Sequence, residues 1–125
     1  MYLMRRANGD LFTLTVGGNE YVAVWPNEFA ARRYKARNPE LFVYLPARID
    51  RALVERKLGR LLHEQSLRFW LLDENDPAAG FNRGRIVEWP AVLEAAGYSR
   101  DEVLRLTAPA AATQAKPERG NAEAA

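Results

Sequence analysis

Leu11-Phe12-Thr13-Leu14-Thr15-Val16-Gly17-Gly18-Asn19-Glu20-Tyr21-Val22-Ala23-Val24-Trp25-Pro26 is the stretch on which the fold turns. Its first part alternates. Phe12, Leu14 and Val16 share one side and Thr13 and Thr15 the other, the period of a strand with one buried face. Gly17-Gly18-Asn19 supplies residues that take positive φ at low cost, which suits a tight reversal. Glu20 to Trp25 then runs back, more apolar and β-branched than alternating, and Pro26 ends it because proline cannot donate to a ladder. Towards the N-terminus, Asn8-Gly9-Asp10 is a second turn signal and Tyr2 to Arg6 a further strand. The spacing predicts a three-stranded antiparallel meander.

Beyond Pro26, Glu28 to Arg37 reads as a helix, with an acidic residue near the positive end of its dipole and a basic one near the other. Phe29 and Tyr34 are its expected core-facing anchors, and Asn38-Pro39 stops it. Leu41 to Leu45 is a short apolar run between prolines, hence a strand. Asp50 can cap the next helix, whose Leu53, Val54, Leu58, Leu61 and Leu62 form a stripe at helical spacing. Leu67 to Leu72 reads as a central strand, Asp73 to Gly84 as a polar loop and Arg85 to Trp89 as another strand. Pro90 to Ala96 is helical with Gly97 as its C-cap, and Ser99-Arg100-Asp101-Glu102 opens a last helix that ends near Leu106. The expected fold is α+β: a mostly antiparallel sheet of about six short strands, with three or four helices mainly on one face. Residues 1–106 form the single expected domain. Residues 107–125 hold no large apolar side chain, two prolines and eight alanines. They cannot offset their ordering entropy by burial and are expected to be a disordered tail.

Hydrophobic residues make up 48% of the chain and charged ones 27%, a balance that excludes whole-chain disorder. Apolar runs such as Leu41 to Leu45 have strand length, well short of the roughly 20 residues of a membrane span. The opening Met1-Tyr2-Leu3-Met4-Arg5-Arg6 does not read as a signal peptide. With no cysteine, a reducing compartment is expected, by default the cytoplasm, and thiolate chemistry is excluded. The net charge of +2 is unevenly spread: residues 1–60 carry 11 Lys/Arg against 6 Asp/Glu, and residues 61–125 carry 7 against 10.

Catalytic constellations are thin. His63 is the one histidine, placed to meet a helix C-terminal dipole rather than to act as a base. Asp73, Glu74, Asn75 and Asp76 fail as a calcium loop because Pro77 and Ala78 stand where ligand and glycine are needed. Gly80 to Gly84 precedes a strand rather than following one, so it is no phosphate loop. Ser66 and Ser99, the only serines, lie in no nucleophile elbow. No catalytic residue, metal or cofactor is expected.

The basic residues are the better lead. Arg32, Arg33, Lys35 and Arg37 crowd one helix, and Arg48, Arg51, Arg56, Lys57 and Arg60 the next. Trp25 and Trp89 sit at Trp-Pro corners, where aromatic anchors can line a groove. The candidate binding set is Trp25, Arg32, Arg33, Arg37 and Trp89. It points to a non-catalytic protein-binding or accessory module of unknown partner, or alternatively to nucleic-acid or anion binding through a basic helical surface. Solvated arginines and core tryptophans are the plainer account of the same residues. Unpaired sheet edges also invite a homodimer.

From about Gly9 to Tyr98 the order of features resembles a family of small bacterial proteins known only as a domain of unknown function. Gly9-Asp10-Leu11-Phe12-Thr13-Leu14 and Val24-Trp25-Pro26 with Phe29-Ala30 carry the resemblance. It implies an α+β fold and no established activity. A weaker likeness to secretion-associated accessory proteins implies a binding role.

Overall fold

Tyr21 to Trp25 are all buried, which explains why this run lacks alternation: a strand covered on both faces has no polar side. The structure is a computed structural model that describes residues 1–59, 68–72, 81 and 83–107. Its strands are β1 (Tyr2–Arg5), β2 (Thr13–Val16), β3 (Asn19–Trp25), β4 (Leu45–Arg48), β5 (Phe69–Leu72) and β6 (Gly84–Val87). Its helices are α1 (Glu28–Arg37), α2 (Arg51–Leu53), α3 (Trp89–Ala95) and α4 (Arg100–Thr107). A 3₁₀ turn spans Pro39–Leu41, and α2 runs on as a π-helical turn over Val54–Leu58. Leu61, Leu62, His63, the Asp73–Asp76 cluster and the tail beyond Thr107 lie outside the described residues.

The fold is α+β with a mixed sheet in the order β4-β1-β3-β5-β6. The expected hairpin between β2 and β3 is present, reversing at Gly17 and Gly18, which both take positive φ. The meander as a whole is not. Both β1 and β2 pair antiparallel with β3 along the same edge, β2 against Asn19 to Val22 and β1 against Val24 and Trp25. The turn at Asn8-Gly9 closes a single bridge, Arg5 to Leu11, before Phe12 returns to the sheet by donating to the Met4 carbonyl. β3 is longer than either neighbour, so two short strands placed end to end satisfy its ladder. On its other edge β3 pairs in parallel with β5, which pairs antiparallel with β6.

Alternate residues of the sheet feed two cores. Leu3, Val22, Val24 and Phe69 face one side, where Leu53, Val54 and Leu58 and the apolar faces of α3 and α4 cover them. Met4, Ala23, Trp25 and Leu72 face the other side, under α1. Three helices thus share one face and α1 takes the other. α1 approaches through Ala30, Ala31 and Tyr34, all buried, while Phe29 is 69% exposed. The expectation that Phe29 points inward is therefore corrected: the small Ala30 and Ala31 bring the helix close to β3, and this turns Phe29 outward under the Arg33 guanidinium.

The strand expected at Leu41 to Leu45 is displaced. Its first residue closes the 3₁₀ turn, and β4 begins only at Leu45 and runs through Pro46. Pro46 fits because of the register. Ile49 N–H donates to Met1 O at 2.9 Å, so the facing pairs Leu3–Ala47 and Arg5–Leu45 are the hydrogen-bonded ones. Pro46 falls between them with its nitrogen on the outer edge, and no ladder bond is lost.

Caps follow the sequence closely. Asn27 Oδ1 accepts from Ala30 N–H at 2.8 Å and Asp50 Oδ1 from Leu53 N–H at 2.9 Å. Ser99 and Glu102 form a reciprocal capping box. Glu102 also takes a two-pronged hydrogen bond from Arg51, whose guanidinium lies 4.2 Å from the Tyr98 ring centre. This clamp joins the start of α2 to the α3–α4 corner.

Two outcomes follow. At Gly84 an added Cβ would stand 2.5 Å from both Leu71 O and Trp70 Nε1. Gly84→Ala is expected to cost about 1–3 kcal/mol, read as a lower urea midpoint with unchanged slope. Separately, the Arg51 hydrogen bonds, and then the Ser99 N–H, lower the Glu102 carboxyl from 4.5 to about 2. Its folded pKa is below its unfolded one, so the stabilisation is complete above pH 4.5 and is lost as pH falls from there towards about 2. Glu102→Gln should lower the thermal midpoint at neutral pH, and the gap to the wild type should close as the pH drops through that window.

Candidate functional site

The two corner tryptophans belong to the cores. Trp25, the last residue of β3, has no exposed surface, and its ring centre lies 5.8 Å from that of Tyr34 on α1. Trp89, the first residue of α3, is turned onto β5 with its ring edge-on to Phe69 at 4.9 Å. Both indole N–H groups are buried with no hydrogen-bond partner among the described residues. Trp25 offers no face to a ligand, so its reading as a groove anchor is corrected, whereas Trp89 keeps a small exposed edge on a surface pocket that it lines with Arg68, Ile86, Val87 and Glu88. The corner places each ring beneath a helix, not beside one. Trp70 is the half-buried member: it packs on Tyr21 and donates from Nε1 to Phe81 O at 3.1 Å.

The basic residues do not merge into one surface. Arg32 pairs with Glu28 at 2.7 Å, Arg33 lies over Phe29, and Arg37 is exposed in the last turn of α1. Arg51 is committed to Glu102 and Tyr98, and Arg56 Nε approaches Ala52 O at 3.4 Å. Since α1 and α2 pack on opposite faces of the sheet, their arginines point away from each other. Arg32, Arg33 and Arg37 remain a local strip on α1.

No group of three acidic or histidine side chains converges as a metal site among the described residues. Ser99 is occupied as a cap. Among the described residues, no helix is long and apolar enough to cross a membrane.

A different surface stands out. Phe42 is 80% exposed, Val43 55% and Leu45 64%, three large apolar side chains within four positions where the chain enters the edge strand β4. Next to them a surface pocket of about 380 Å³ is lined by Arg5, Arg6, Ala7, Asn8 and Gly9 from the β1 turn and by Leu45, Pro46 and Ala47. The Arg6 guanidinium lies 5.8 Å from the Tyr44 ring centre, and Tyr44 packs edge-on against Phe12 at 5.3 Å. Phe12 in turn meets Phe81, which stacks on Tyr34. A chain of rings therefore runs from the core under α1 to Arg6.

Sequence reading missed this surface because an apolar run looks the same whether it is a strand core or an exposed bend. The bracketing Pro39 and Pro46 were the usable signal. No family model matches the chain, and neither a curated protein nor a solved structure does.

The burial of Trp25 and Trp89 can be checked by quenching. Iodide should quench chiefly Trp70, so Trp70→Phe should remove most of the quenchable emission while Trp89→Phe leaves it in place.

Proposed function

We propose that the chain is a non-catalytic protein-binding module that engages its partner through the bend Phe42–Val43–Leu45. One observation carries this reading: three large apolar side chains are held out to solvent within one four-residue segment, whereas Phe29, Ile86 and Leu104 are exposed in separate elements. Such patches mark interaction surfaces more often than inert ones. The segment is held from both ends, by the 3₁₀ turn at Pro39–Leu41 and by the β4 ladder, so little ordering entropy is spent on binding. Nucleic-acid binding through α1 and α2 is less favoured, because the arginines are divided between two faces and partly engaged by Glu28, Phe29, Tyr98 and Glu102.

A homodimer formed edge to edge at β4 is also disfavoured, since Pro46 turns its nitrogen to the open side and offers no donor there. Light scattering over a range of concentrations should return the monomer mass. A dimer lost in Phe42→Ser would show that a second copy covers the bend and would overturn the reading of a separate partner. With the full chain immobilised, the protein recovered from a cell extract should be lost in Phe42→Ser/Leu45→Ser and kept in Arg33→Ala/Arg37→Ala. Equal recovery by both variants counts against the bend.

A further inference from the structure

The pocket beside the bend has a chemistry of its own. Arg5, the last residue of β1, and Arg6 after it are exposed, and neither has an ion-pair partner among the described residues. Lys57, exposed on the π-helical turn, brings its ammonium over the same loop: Nζ lies 2.9 Å from the point where a Cβ on Gly9 would stand. Two cations of the pocket wall, Arg5 and Arg6, thus flank the loop whose tip, Gly9, a third cation approaches from an element remote in sequence. The nearest opposing charge in that loop, Asp10, takes a hydrogen bond from Asn8 Nδ2 at 3.1 Å and leaves the balance positive.

The backbone of the loop is already used. Arg6 N–H donates to Asp10 O and Gly9 N–H to Arg6 O, and Asp10 N–H donates to Asn8 Oδ1. An incoming anion would therefore meet side-chain cations and not a cradle of free amides. The remaining wall, Leu45 to Ala47, is apolar. Guanidinium forks against an aliphatic wall suit a carboxylate carried on a short apolar side chain better than they suit a string of phosphates. Arg6 is steadied by the Tyr44 ring, so part of the site is pre-positioned.

We propose that this pocket receives a carboxylate of an acidic, apolar peptide segment, whose apolar side chains rest on Phe42, Val43 and Leu45. The inference rests on the protein-binding reading and names the partner's chemistry: aspartate or glutamate next to aromatic or aliphatic residues. Arg5, Arg6 and Lys57 hold the acid and the bend holds its neighbours. Opposite charge fixes the register of the segment and speeds its arrival.

The test is a titration of the isotopically labelled full chain, followed by backbone amide shifts. The probes are acetyl-Asp-Phe-Asp-Leu-amide, the same peptide with Asn for Asp, and inorganic phosphate. The acidic peptide should move the amides of Arg5 to Gly9 together with those of Phe42 and Val43, and the Asn peptide should not move the first set. Arg5→Gln/Lys57→Gln should weaken the acidic peptide by about tenfold or more while the spectrum shows the fold intact. If both peptides move Phe42 and Val43 alike in wild type and variant, the carboxylate pocket is overturned and the protein-binding reading survives. If phosphate moves Arg5 to Gly9 more tightly than the acidic peptide, the peptide is overturned as occupant. If neither peptide moves Phe42 or Val43, the pocket's assignment to this partner fails together with the reading beneath it.

Discussion

Double-sided burial of β3 is the constraint on which the rest of the structure depends. A strand covered above and below needs two cores, so the sheet must recruit helices to both faces from a short chain. α2, α3 and α4 form one cover and α1 alone forms the other. A single helix suffices on that side because aromatic rings from the strands, the turns and Phe81 extend its cover. The same constraint explains the edge shared by β1 and β2: the long central strand is worth pairing along its whole length, and two four-residue strands do so where one could not.

Elements whose signals are local were legible in the sequence. The Gly17-Gly18 reversal, the Asp50 and Ser99 caps and the bounds of α1 follow from residues within a few positions of each other, whereas the Asn27 cap was found only in the structure. Pairings between distant segments were not. Nothing near Tyr2 to Arg5 tells whether that strand takes Leu11 or Val24 as neighbour, since the choice is made by the length of β3. Pro46 illustrates the same limit: its place in a strand is tolerable only because of the side on which its partner lies. Phe29 shows a third kind. Size suggested an anchor, whereas close helix–sheet contact selected the two alanines that follow it.

The candidate site was legible in composition and not in placement. The crowding of basic residues in the sequence could be read, but α1 and α2 are separated by the thickness of the sheet, and the cations around the proposed pocket come from the end of β1 and the π-helical turn. A charge count along the chain has no knowledge of faces. The Trp-Pro corners misled for a related reason. A corner in sequence is the place where a helix folds back over the strand, and the ring at the corner is the first to be roofed.

Pro46 has a consequence for the way this surface can be used. Attraction between exposed greasy groups tends to grow without limit when a backbone rail is available for the next chain to clip onto, as in fibrils. Here the rail beside the exposed bend is interrupted, because Pro46 presents no donor on the open side of β4. Exposed apolar side chains thus sit beside an edge that is a poor template for a growing stack of strands.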